Sequence, residues 1–168
     1  MIFISQSGLL DRTLDDDWDG WYLERLRAMV TAPGISSAQR FTTETPGSPP
    51  SLASYSIASP AVFEDSLYLS VRGFRECQPL IDRRYYRRNL FAGLDETPDV
   101  AENECLLVTD REVPGGAIDG IEFEWLACVG IDRSTPYRGI AVRPALAPPL
   151  DAAVIVYRPV APRVTRSS

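Results

Sequence analysis

The sequence predicts an α+β fold, and three observations predict it. An amphipathic helical stretch between residues 14 and 31 lies between short apolar runs. A second helical region opens at Ser59-Pro60. The resulting order of strand, helix, strand, strand, helix, strand returns in shortened form in the last third of the chain.

Ile2 to Ser5 reads as a short apolar strand. On a helical wheel Leu14, Trp18, Trp21, Tyr22 and Met29 then fall on one stripe of a helix spanning Leu14 to Thr31, with Arg25 in the middle of that stripe. Thr13 is placed to cap this helix, and Asp15, Asp16 and Asp17 put negative charge on its first turn, where the macrodipole favours it. Pro33-Gly34 ends it. Ile35 to Thr43 is the next strand, and Thr45-Pro46-Gly47-Ser48-Pro49-Pro50 a loop. Leu52 to Ala58 follows as a strand with Tyr55 on its more apolar face, beside Ala53 and Ile57. The helical region from Ser59-Pro60 runs to Leu80 with a break near Asp65-Ser66, and Tyr85 to Phe91 closes the unit as a strand.

In the remaining third, Glu104 to Thr109 is a strand, Ile118 to Cys128 a short helix, and Gly130 to Arg143 an extended segment. After a loop at Pro144 to Pro149, Ala152 to Tyr157 is a continuous apolar strand. The expected organisation is a unit over residues 1–93, a partial βαββ repeat over 94–160 packed on it, and a flexible tail over 161–168.

A net charge of -6 argues against a nucleic-acid binder. No run approaches membrane-spanning length, and Met1-Ile2-Phe3-Ile4 lacks the charged leader of a signal peptide, so a cytoplasmic protein without a membrane partner is expected. Cys77, Cys105 and Cys128 are an odd count without metal-ligand spacing and read as reduced thiols. The chain has no histidine, and all 17 of its basic residues are arginine. Histidine-based triads, zinc hydrolase motifs, the phosphate-cradling Gly-Lys-Ser/Thr loop and lysine imine chemistry are therefore excluded. No cofactor and no metal are expected.

Trp21-Tyr22, Glu24, Pro33-Gly34 and Arg40-Phe41, set in this helix-strand order, resemble the dimeric α+β barrel superfamily, in particular its EthD-like and stress-responsive branches. The resemblance covers residues 1–93 best. It implies a ferredoxin-like βαββαβ unit, sheets packed face to face as an α+β barrel, and a homodimer. In that family the first helix carries a Glu-His pair facing a pocket between helices and sheet, and here the matching pair is Glu24-Arg25. A guanidinium does not act as an ordinary general base, but it binds anions and stabilises a developing oxyanion.

Arg25 is accordingly the candidate anion anchor, with Tyr22 and Tyr55 as proton-handling groups and Trp18, Trp21 and Arg40 as ligand-binding residues. The competing account has Arg25 snorkelling past aromatics or paired to a buried carboxylate, and Trp18 and Trp21 as plain core. Arg83-Arg84-Tyr85-Tyr86-Arg87-Arg88 is a second cationic constellation, suited to an anion or to salt bridges with acidic neighbours. Two functions are compatible with these residues. One is a small cofactor-independent isomerase, cyclase or lyase acting on an aromatic or carboxylated metabolite. The other is a non-catalytic ligand-binding or dimerisation module.

Overall fold

Every residue of β1 (Ile2–Ser7) is buried, although its side chains alternate, with Ile2 and Ile4 on one face and Phe3 and Ser5 on the other. A strand covered on both faces suits the wall of a filled barrel with helices outside. The computed structural model, which describes residues 1–145 and 151–166, has that form. The further strands are β2 (Ile35–Thr42), β3 (Ser51–Ile57), β4 (Arg87–Ala92), β5 (Glu104–Arg111), β6 (Glu124–Ile131), β7 (Tyr137–Pro144), β8 (Ile155–Pro159) and β9 (Val164–Thr165). They form one sheet in the order β3-β1-β4-β6-β7-β5-β8-β2-β9. Pairing of β2 with β3 closes eight of these strands into an antiparallel barrel, which leaves few open edges.

This overturns the expected fold class. The chain is mostly β rather than an α+β ferredoxin-like unit with a shorter repeat, and its two halves join edge to edge instead of stacking sheet on sheet. The joins are β4 to β6, where Phe91 faces Cys128, and β2 to β8, where Phe41 faces Pro159. The helix expected over Ile118 to Cys128 is absent. Asp119 and Gly120 both have positive φ, 52° and 73°, and Ile118 and Ile121 exchange backbone hydrogen bonds across them. That is the Asp-Gly signature of a tight reversing turn, and the apolar run after it continues as β6. Within 161–168, expected as a flexible tail, Val164 and Thr165 pair with Ala38 and Ser37 of β2. Of the loop expected at Pro144 to Pro149, residues 146–149 lie outside the described residues.

The interior is packed by Ile2, Ile4, Phe41, Leu52, Phe91, Leu106, Leu126 and Tyr157. Polar networks close both ends. At one, Arg138 donates to Asp110 at 2.7 Å and to Gln6 at 3.0 Å, and Gln6 donates to the Tyr157 hydroxyl at 3.1 Å. At the other, Thr97 bonds Ser54 and Ser56, while Gln39 holds Val100 through its N–H and its carbonyl. Small eight-stranded barrels are filled by side chains in this way, which puts ligand space outside the wall.

The outer face of β1, β3 and β4 carries Phe3, Tyr55 and Leu90, paired in register, and α1 (Asp15–Met29) lies over this side. Its buried residues are Trp18, Tyr22, Leu26 and Met29. Thr13 does not cap it. Asp11 instead accepts from the Thr13 backbone N–H and hydroxyl, opening a turn at Arg12–Leu14 that leads into the helix. The second helical region is broken into a turn at Pro60–Glu64, α2 (Ser66–Val71) and a turn at Arg75–Leu80, with the Asp65 carboxylate capping α2 through the amides of Leu67 and Tyr68. Among the described residues no helix is long and apolar enough to cross a membrane.

Candidate functional site

Two cavities open between α1 and the barrel wall. The smaller, about 290 Å³, lies under the second half of α1, floored by Phe3 and Tyr55 and walled by Trp21, Phe74, Tyr68 and Tyr86. The larger, about 670 Å³, lies beside the first half and reaches β2 and β8 through Arg40, Thr42 and Arg158. Their linings differ in charge. The larger cavity mixes arginines with Asp15, Asp19 and Glu44, whereas the smaller is lined by Arg25, Arg72 and Arg88 and by no carboxylate.

Arg25 sits one helical turn from Tyr22 and Met29, which turns its half-buried side chain toward the wall. Its Nη2 is buried and has no hydrogen-bond partner, and its guanidinium lies 5.8 Å from the centre of the Trp21 ring. Among the described residues it forms no ion pair. Burial, then the like charge of Arg75, holds Arg25 below the ordinary arginine range, yet it remains a cation at neutral pH. An unpartnered buried donor of this kind is costly.

Tyr22 and Tyr55 are both fully buried at the cavity's inner end. Burial raises the Tyr55 phenol well above its usual value, and the neighbouring Tyr22 phenol adds to this against the opposing charge of Arg25. Burial also raises Tyr22, but less, because the Arg40 charge and the hydroxyls of Ser5 and Tyr55 beside it favour its ionised form. Both stay protonated at neutral pH, so they serve as hydrogen-bond donors and not as bases.

Arg40 stands in a different setting, on the larger cavity. Its guanidinium is almost wholly buried and fully engaged: it pairs with Asp19 at 2.6 Å, donates to the Trp18 carbonyl and the Ser51 hydroxyl, both at 3.3 Å, and lies 4.6 Å from the Tyr22 ring centre. It ties α1 to β2 and β3. Asp19 is nevertheless shifted upward, since burial outweighs the attraction of Arg40.

The structure thus brings Arg25, Tyr22, Tyr55 and Trp21 together around one cavity and places Trp18 and Arg40 on the other. Tyr68, Arg72 and Phe74 were not singled out in the sequence, although Tyr68 and Arg72, spaced four residues apart, carried the signal. The tract at 83–88 splits: Arg84 pairs with Asp82, while Tyr86 and Arg88 reach the cavity. Cys77, Cys105 and Cys128 are free, and among the described residues no group of three or more histidine, cysteine, aspartate or glutamate side chains is placed to hold a metal ion. No protein family matches the chain, and no curated protein or solved structure is significantly similar to it.

Proposed function

We propose that this chain binds a small aromatic anion in the cavity beneath α1, with Arg25 as the anion anchor. The observation that carries this reading is the buried Arg25 Nη2, left without a partner in a cavity that no carboxylate lines. Aromatic walls supply the rest of the affinity, because Trp21, Phe74 and the four tyrosines offer ring faces and edges to a flat ligand. A volume of about 290 Å³ suits a single substituted ring.

One observation favours a catalytic role beyond binding. Tyr55 lines the same cavity as Arg25, burial keeps its phenol protonated, and two such donors stabilise a carbonyl oxygen that gains negative charge, as an enolising, cyclising or bond-cleaving step requires. The cavity lining contains no carboxylate and the chain no histidine, so any proton abstraction would rest on the substrate or on water.

The test is a thermal-shift screen of aromatic carboxylates, beginning with benzoate, on the unaltered protein and on Arg25→Met. Stabilisation of the unaltered protein and none of a folded Arg25→Met supports the reading. Equal stabilisation of both proteins contradicts it.

A further inference from the structure

The charges around the small cavity do not balance. Three guanidiniums line it, those of Arg25, Arg72 and Arg88. Asp132 pairs with Arg88 at 3.3 Å, and Glu76, which acts on Arg25, is offset by its neighbour Arg75. Arg25 and Arg72 have no ion-pair partner among the described residues. The Tyr68 phenol feels all of this: burial raises it, and Arg72, Arg88 and Arg25 each act in the opposite sense. Two guanidiniums without an ion-pair partner therefore line a single cavity.

Those two charges sit at different depths. Arg25 comes from α1, is half-buried, and acts on Tyr55 and Tyr22 at the inner end. Arg72 caps the C-terminal end of α2 and is exposed, which puts it at the mouth. Arg88, on β4, presents a buried Nε that also lacks a partner. Aromatic rings of Phe3, Trp21, Phe74 and Tyr68 fill the walls between.

We infer that the ligand is an aromatic dicarboxylate, its inner carboxylate held by Arg25 and Tyr55 and its outer one facing Arg72 at the mouth. This rests on the aromatic-anion reading above and goes beyond it by giving the ligand two acidic groups, one at each depth. Like-charged guanidiniums repel one another when the cavity is empty, so a ligand with two acidic groups relieves that repulsion at both ends, whereas a monoanion relieves it at one. A phosphate monoester carries comparable charge on a single group and leaves one end unmatched.

Calorimetric titration of the unaltered protein and of Arg72→Gln with benzoate, terephthalate and phenyl phosphate tests this. Arg72 is exposed, so its substitution leaves the packing of the fold in place. Terephthalate should bind the unaltered protein about two- to fivefold more tightly than benzoate, the gain expected of one added charge contact at an exposed cation. In Arg72→Gln the ratio of the two affinities should fall close to one. Benzoate and terephthalate binding equally to the unaltered protein would overturn the dicarboxylate assignment while leaving the aromatic-anion reading intact. An unchanged ratio in Arg72→Gln would overturn the role given to Arg72, and phenyl phosphate binding more tightly than terephthalate would overturn the separation of charges. Binding of none of the three would overturn both readings.

Discussion

The rings of Trp18 and Trp21 stack with centroids 4.8 Å apart and planes within 8° of parallel, Trp18 lining the larger cavity beside α1 and Trp21 the smaller. Trp21 also donates from Nε1 to Glu76 at 3.1 Å, and Trp18 packs on Phe74 and edge-on to Tyr22. Trp18→Ala should lower stability by about 3–5 kcal/mol, the usual cost of deleting a buried large aromatic, and join the two cavities. Chemical denaturation measures the first effect.

Arg25 and Arg40 should respond in opposite ways to replacement by methionine. Arg25→Met removes a charge that has no carboxylate partner, so stability should change by no more than about 1 kcal/mol. Arg40→Met strands Asp19 and should cost about 2 kcal/mol, less than for a fully buried pair because the Asp19 side chain is 32% exposed. The pH dependence has a definite sign. Asp19 already titrates above its usual value through burial, so its ionisation disfavours the folded state as pH rises through the carboxylate range, and loss of Arg40 enlarges that penalty. The deficit of Arg40→Met should therefore be largest near neutrality and shrink on acidification. Melting temperatures of both variants across that range are the check.

Tyr157 holds one end of the barrel through its hydroxyl, which donates to the Pro49 carbonyl at 2.8 Å and accepts from Gln6. Burial pushes its pKa up to about 12. A phenol raised in the folded state lends stability that is complete below the unfolded value near 10 and is lost as pH rises toward 12. Tyr157→Phe should cost about 1–2 kcal/mol at neutral pH, since two buried polar partners are orphaned. The difference between the variant and the unaltered protein should narrow as pH rises from 10 to 12, which denaturation at alkaline pH reads directly.

Two glycines with positive φ separate backbone strain from crowding. At Gly120, φ 73°, a Cβ would meet nothing within 4 Å, so Gly120→Ala should cost about 1 kcal/mol for backbone conformation alone. At Gly34, φ 83°, the same Cβ would come within 2.6 Å of Val62 Cγ2, and the chain there must leave α1 and enter β2. Gly34→Ala should therefore be the more destabilising of the two. Paired urea titrations give the order.

The first half of the chain was largely legible from local signals. The α1 periodicity, Pro33-Gly34 and the alternation around Tyr55 place α1, β2 and β3 within a few residues of their observed bounds. The inward turn of Arg25 follows from the same wheel. The second half was legible only in part: the strands expected from Glu104 and up to Tyr157 overlap β5 and β8, but the apolar run from Phe123 to Ile131 suits a buried helix or strand equally, and only the Asp119-Gly120 turn decides between them. Barrel closure was hidden for another reason. It depends on pairings such as Phe41 with Pro159 and Leu90 with Gly130, between residues remote in the chain, which no local pattern encodes. The Arg40–Asp19 pair was hidden as well, because Asp19 lies on the helix that Arg40 fastens and the pairing exists only once α1 docks.

The central claim is that Arg25 anchors an aromatic anion under α1, and a crystal of the chain soaked with 4-bromobenzoate tests it most directly, because the bromine's anomalous signal locates the ring without reference to any prior placement. A bromine peak between Phe3 and Tyr68 is expected, with the carboxylate on the Arg25 guanidinium beside the Tyr55 hydroxyl. A peak in the larger cavity near Arg12 or Arg158, with Arg25 still unpartnered, would contradict it.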